Sequence, residues 1–216
     1  MPTPIDPTLS ADYQRDWPAY FDAVAGLPPR DTLYRALELF GAEPAAGPRL
    51  AIDLACGEGR DTRELLSRGW RVLAVDAHAD ALRRLEAHVP ESGRARLRTR
   101  LLAMEAVPAD PDLALAADLI NASFALPFCH EDRFEALWNW IGRTLRPGAR
   151  FAGQLFGDRD EWAPVNPRRH VTRAQALALL SEYRVEHFDE AEKVGPDAMG
   201  GTKHHHVFHI VAQKRE

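Results

Sequence analysis

Apolar positions along this chain alternate between short continuous runs and spacings of three to four residues. Leu50 to Leu54 is a short apolar run containing one acid, Asp53, and it leads into a turn bracketed by Gly57 and Gly59. Such a run predicts a buried strand. Arg60 to Arg68 has helical spacing and closes on Gly69, and a second apolar run, Trp70 to Val75, ends in Asp76. Further on, the pattern predicts a helix over Asp80–Ala87 and strands over Arg96–Leu102 and Asp118–Ser123. A helix over Glu131–Leu145, closed by Arg146-Pro147-Gly148, then feeds a fifth strand, Arg150–Phe156. Asn166 to Arg169 reads as a loop, Thr172–Leu180 as a helix, and Tyr183–Asp189 with His205–Gln213 as a final hairpin. Ahead of the first strand, Met1 to Ser10 is a proline-rich arm. Tyr13, Trp17, Tyr20 and Phe21 then mark a helix to Val24, whose start Pro18 places near Trp17. A second helix, capped by Asp31 or Thr32, runs to Phe40, and Pro44 to Pro48 is a loop. Alternating β and α with a terminal antiparallel pair predicts an α/β fold: a doubly wound, mostly parallel sheet with helices on both faces.

Strand, glycine turn, helix, strand and acid outline a βαβ nucleotide-binding unit. Two cofactor classes share that outline. A dinucleotide site wants a third glycine and a helix N-terminus facing pyrophosphate, but Thr62 stands at the third glycine position. Asp53 at the strand end repels a pyrophosphate and suits an ammonium group. The local chemistry therefore favours S-adenosylmethionine over NAD, and a NAD-dependent oxidoreductase is the enzyme alternative.

The segment Asp53-Leu54-Ala55-Cys56-Gly57-Glu58-Gly59 resembles motif I of class I S-adenosylmethionine-dependent methyltransferases, with Ala55 in place of the first glycine. The continuation through Arg60-Asp61-Thr62, Leu65-Leu66 and Gly69-Trp70-Arg71-Val72 is similar to the tellurite-resistance methyltransferase subgroup, and the resemblance covers residues 30–160. It implies a seven-stranded sheet of order 3-2-1-4-5-7-6. The length of 216 residues suits one domain over residues 1–216, and the resemblance implies that residues 1–40 are an N-terminal helical arm or lid.

Ligands of open α/β sheets sit beyond the carboxyl ends of the strands, which selects the candidate residues. Asp53 is expected to reach the methionyl ammonium, and Ala55, Cys56, Gly57 and Gly59 to form a close backbone floor, with Arg60 opening the helix behind them. Asp76 is expected to accept from the ribose hydroxyls, with Ala77 beside it; as a structural alternative, Asp76 caps the next helix. Ala103 stands where the resemblance implies an acid for the adenine amino group, so Met104 and Glu105 are the substitutes. Asn121, Ala122 and Phe124 are expected beside the methionine moiety. Asn121 to Phe124 shares its first and fourth residue types with the N-P-P-Y box of nucleic-acid amino-methylating enzymes, but both prolines are missing.

Substrate contacts are expected from Tyr13, Trp17, Phe128 and His170, with Tyr20 in the same aromatic arm. His130 and His170 are the candidate bases, with His130 expected rather to start the following helix, and Arg168 and Arg169 are candidate anion binders. Methyl transfer is governed by proximity and orientation, and a base is needed only for a nucleophile that must lose a proton. The cluster His204, His205, His206 and His209 does not read as a metal site. Strand alternation puts His205 and His209 on one side and His204 and His206 on the other.

Charge and composition narrow the partners. The chain has 216 residues, with 32 acids against 27 bases and a formal charge of -5. That balance gives no electrostatic case for nucleic acid. Arg94, Arg96, Arg98 and Arg100 are expected on one solvated strand face. No apolar run reaches the length of a membrane span, and Cys56 and Cys129 are too few for a disulfide framework. These features favour a cytoplasmic enzyme acting on a small-molecule acceptor with a soft or oxygen nucleophile. The non-enzyme alternative is a cofactor-binding sensor or scaffold that keeps the fold without turnover.

Overall fold

The computed structural model describes residues 16–41, 47–114, 116–164 and 169–215; the expected contact of Tyr13 and the Asn166–Arg168 part of the loop lie outside them. At the centre lie β1 (Leu50–Leu54), β2 (Arg71–Asp76) and β4 (Ala117–Ala122), all parallel, with β3 (Leu97–Leu101) on the outer side of β2. β5 (Leu145–Gly157) continues the parallel set beside β4, and the two-residue β6 (His170–Val171) pairs with its end. β8 (Thr202–Lys214) returns antiparallel to β5, and β7 (Tyr183–Pro196) pairs with β8 at the edge. The order is β3-β2-β1-β4-β5-β8-β7, which is the expected topology once the short β6 is set aside.

Period-2 alternation in β1 divides the core between the two faces. Ile52 and Leu54 join Ile120 and Phe151 under α6 (Glu131–Thr144), which contributes Phe134, Leu137 and Ile141. On the opposite face, Ala51 packs with Leu33 and Leu37 of α2 (Asp31–Gly41), Leu65 of α3 (Arg60–Ser67) and Leu85 of α4 (Ala79–His88). α5 (Glu91–Arg94) precedes β3, and α7 (Arg173–Leu179) follows β6 behind a Thr172–Gln175 capping box. α1 (Trp17–Val24) starts where Pro18 allows, with the Asp16 carboxylate accepting from the Ala19 N–H at 3.0 Å. Among the described residues no helix is long and apolar enough to cross a membrane.

Several boundaries differ from the sequence pattern. α6 stops at Thr144, and β5 begins at Leu145, which pairs with Ala117 before the register shifts to Leu119↔Arg150. Pro147 and Gly148, the latter at φ 79°, form an irregularity within the strand rather than a turn ahead of it. The hairpin strands are longer than expected. Their tip is closed by Asp197, whose Oδ1 accepts from the N–H groups of Met199 at 2.8 Å and Gly201 at 2.9 Å. The expected arginine stripe is also shorter: Arg98 and Arg100 are exposed on β3, Arg94 belongs to α5, and Arg96 reaches back to the Leu66 carbonyl. His130, as expected, is the N-cap of α6.

Candidate cofactor cleft and acceptor cavity

Between β1 and α3 the chain reverses through three residues of positive φ: Ala55 at 51°, Gly57 at 57° and Gly59 at 88°. A Cβ on Gly59 would collide with the Leu85 side chain, so this position needs glycine for both backbone and space. Asp76, at the end of β2, braces the loop: one oxygen accepts from the Gly57 N–H at 2.9 Å and the other from the His78 N–H at 2.8 Å. Each oxygen retains a lone pair for a further donor. Burial raises the Asp76 pKa, and the two N–H bonds work against that rise.

Asp53 sits on a buried polar network. Its Oδ2 accepts from the Thr62 hydroxyl at 2.6 Å and its Oδ1 from the Asn121 amide at 2.8 Å. The same Asn121 nitrogen donates to Asp61 Oδ2 at 3.1 Å, and Asp61 Oδ1 accepts from the Arg30 N–H at 3.1 Å. Thr62, which departs from the three-glycine pattern, thus serves as a donor to the acid that replaces phosphate chemistry. Burial, followed by the Asp61 charge, pushes the Asp53 carboxyl up to about 7. Asn121 is fully buried and spans both acids, so it positions carboxylates rather than walling an open space. Asp61 went unrecognised in the sequence, where its only signal was an acid in the first turn of the helix after the glycine loop.

α1 lies across this loop. A Cβ on Gly57 would stand 3.7 Å from the Phe21 ring, and Trp17 packs on His78 at 5.7 Å between ring centroids. Asp22 pairs with Arg84 of α4 at 2.5 Å. The cleft left between α1 and the glycine loop, touching Asp53, Ala55, Cys56, Gly57 and Asp61, holds about 50 Å³. Arg60 also lines it, and the other expected cofactor residues lie outside its lining. Ala122 is buried, Met104 packs against the core, and Glu105 Oε1 accepts from the His130 N–H at 3.2 Å. Ala77, between Asp76 and His78, is half-buried and is not part of the cleft lining. The Cys56 thiol is pushed well up by burial and the nearby Asp76 charge, which makes it a poor nucleophile.

Beside the cleft opens a cavity of about 700 Å³. Phe124, Phe128, Phe156 and Trp162 supply its aromatic surface, and the face of β8 carrying Lys203, His205, Val207 and His209 closes one side. The alternation expected for the histidines therefore holds, with His205 and His209 facing the cavity together. Phe124 adopts φ 52°, and its N–H donates to Gln154 Oε1 at 2.7 Å. Tyr20, Val24 and Arg60 border both cleft and cavity. Trp17 reaches the cavity indirectly, against Phe128 at 5.6 Å.

The expectation for His170 is corrected. Its side chain is buried behind Phe156 at 5.7 Å, with Nε2 3.9 Å from Asp160, and it lines neither space. β6 pairing with the end of β5 draws it into the sheet. Arg169 lies over the Phe134 ring at 4.6 Å and is likewise absent from the lining, while Arg168 is outside the described residues. The cavity residues that sequence reasoning missed are Arg30, Lys203 and His209. The first follows a Pro-Pro break, and the others come from a strand whose facing only the sheet register reveals.

Residues 51–148 match the family model described as a methyltransferase domain. A sterol methyltransferase-like protein of Botryococcus braunii is 30% identical over 151 residues, covering 67% of this chain and 36% of the relative. The chain thus spans about a third of that relative's length. Among solved structures, TehB from Haemophilus influenzae superposes with a TM-score of 0.70 at 14% identity, over 87% of this chain and 63% of that one. The 1,6-didemethyltoxoflavin-N1-methyltransferase of Burkholderia thailandensis, solved with its acceptor and S-adenosylhomocysteine, gives 0.67 at 20% identity over 100% and 93%. These likenesses agree with the sheet order. Over residues 51–148 the chain is thus similar to a methyltransferase domain.

Proposed function

We propose that this protein is an enzyme that methylates a small molecule held in the cavity of about 700 Å³. The observation that carries the reading is the shared border of Tyr20, Val24 and Arg60, which leaves an acceptor in the cavity facing a ligand on the glycine loop. S-adenosylmethionine supplies an electrophilic methyl on a sulfonium, which leaves as a neutral thioether when an acceptor lone pair takes the methyl carbon.

The chain's own residues bind and orient. Asp53 offers a buried carboxylate to an ammonium, and the left-handed turn at Gly57 and Gly59 lets the backbone approach closely. Asp76, held by two N–H groups, presents its remaining lone pairs to a diol. The donor set fits this cofactor, but a cleft of about 50 Å³ falls well short of the ~300 Å³ at which small-ligand pockets begin. Residues 1–216 acting as one domain, with α1 as a lid that lifts for the cofactor and then excludes water, reconciles the two. Burial lowers the pKa of His209, so its imidazole is neutral near pH 7 and able to accept a proton in the cavity.

Titration calorimetry with S-adenosylmethionine, S-adenosylhomocysteine and NADH tests the cofactor class. Binding of the first two without the third is expected, and binding of NADH alone overturns the reading. Asp76→Ala should weaken S-adenosylhomocysteine at least tenfold, consistent with loss of charge-assisted bonds of ~1.5–3 kcal/mol; an unchanged affinity removes the assignment. Multiple turnovers on any acceptor exclude the sensor or scaffold alternative.

A further inference from the structure

We infer that the acceptor is a small planar carboxylate, held by Arg30 and Arg60 against the aromatic wall of the cavity. The inference rests on the proposed methyltransferase reading and names the substrate class of the same site. Two cations meet where cleft and cavity join. Arg60, the first residue of α3, borders both spaces and is half-buried, and its side chain has no hydrogen bond or ion pair among the described residues. Arg30 lies with its guanidinium carbon 4.5 Å from the centroid of the Phe124 ring and is hydrogen-bonded to the Tyr20 phenol. Its Nε is shielded from solvent and has no partner. A buried donor without an acceptor is costly and is rare in native structures. Arg30 and Arg60 are also close enough to repel each other, a repulsion that an anion between them relieves.

The nearby acids are already engaged. Asp61 accepts from the Arg30 N–H and from Asn121, while Asp197 closes the hairpin tip. Asp31 is the remaining carboxylate on the lining, and it stands against Arg30, Arg60, Lys193 and Lys203, the last of which pairs with Asp160 at 2.5 Å. The surplus in the cavity is therefore positive, and its unsatisfied donor belongs to a planar fork that matches a carboxylate. Phe124 and Phe128 each lie 6.3 and 6.1 Å, respectively, from Phe156, providing ring faces for a flat molecule. Such apolar walls oppose desolvation of a doubly charged phosphate more than of a singly charged carboxylate.

Ligand-observed NMR titration tests this with benzoate, benzamide and phenyl phosphate, at saturating S-adenosylhomocysteine. Benzoate should bind at least tenfold more tightly than benzamide. Arg30→Gln and Arg60→Gln should each abolish that preference, with thermal melts confirming that both variants fold. The Arg30→Gln variant should keep its S-adenosylhomocysteine affinity within about twofold, since Arg30 does not border the cofactor cleft. Equal binding of benzoate and benzamide, or a preference that survives both substitutions, overturns the inference. Tighter binding of phenyl phosphate overturns the carboxylate class. If S-adenosylhomocysteine binds and benzoate does not, the inference fails while the methyltransferase reading stands. If S-adenosylhomocysteine does not bind, that reading fails and the acceptor role falls with it.

Discussion

Asp53 couples protonation to both folding and ligand binding. Its folded pKa of about 7 lies above the ordinary carboxylate value of ~3.9, so the native state keeps a proton that the unfolded chain releases. The stability this contributes is complete below pH ~4 and is lost as pH rises through about 7. A cation placed against Asp53 favours the ionised form, so binding should expel the proton below pH 7. Affinity for S-adenosylmethionine should then rise with pH up to about 7 and level off above it. Calorimetry at pH 6 in two buffers of different ionisation heat reads this directly, and binding without proton release would falsify the ammonium assignment. Ala55 makes a second residue-level case. It occupies φ 51° where the resembled motif has glycine. A left-handed L-residue costs ~1–2 kcal/mol, against ~0.5–1 kcal/mol for the extra freedom glycine loses on folding. Ala55→Gly should therefore stabilise the fold by about 0.5 kcal/mol and raise Tm by ~1–2 °C. A lowered Tm would mean that the methyl group has packing value that outweighs its backbone strain.

Legibility at the level of elements followed burial. β1, β2 and β4 were plain because both faces are covered, so their runs are largely apolar and carry Asp53, Asp76 and Asn121 at or next to their carboxyl ends. α6 was equally plain, with Phe134, Leu137, Trp138 and Ile141 at helical spacing over one sheet face. The outer halves of β7 and β8 were not, because Glu192, Lys193 and Val194 are exposed and no core sits beneath them to impose alternation. β6 was missed because two residues carry no period at all, and its position comes from pairing with Phe156 and Gly157. The same contrast runs through the site. The glycine loop and its two acids announce themselves within a single βαβ unit. The cavity of about 700 Å³ is assembled from α1, the start of α2, the end of β5 and the β8 face, so no local window of sequence contains it. His170 was favoured by its place after the fifth strand, yet His209, 39 positions further on by number, is the histidine whose face turns inward.

Across the whole molecule, α1 stands between two spaces of very different size, about 50 Å³ over the glycine loop and about 700 Å³ beside it. Its eight residues are too few to persist as a helix alone, so its placement depends on docking. That docking is slight: Phe21 and Val24 are the buried residues, and the Asp22–Arg84 pair is exposed on the Asp22 side and screened by water. A weakly held element over a site that must widen is suited to act as a gate, and opening, rather than diffusion, should then limit cofactor entry. Because Tyr20, Ala23 and Val24 also wall the cavity, the same movement reshapes the acceptor space, which favours cofactor binding before acceptor. Phe21→Ala removes the ring that covers Gly57 and should raise the association rate of S-adenosylhomocysteine severalfold. Trp17, packed on His78 and Phe128, supplies the stopped-flow fluorescence signal. Hydrogen exchange should show residues 17–24 opening far more readily than the amides of β1 and β2. An association rate unchanged by Phe21→Ala, with α1 amides as protected as the central strands, would show that the helix is fixed architecture and that the cofactor enters by another side.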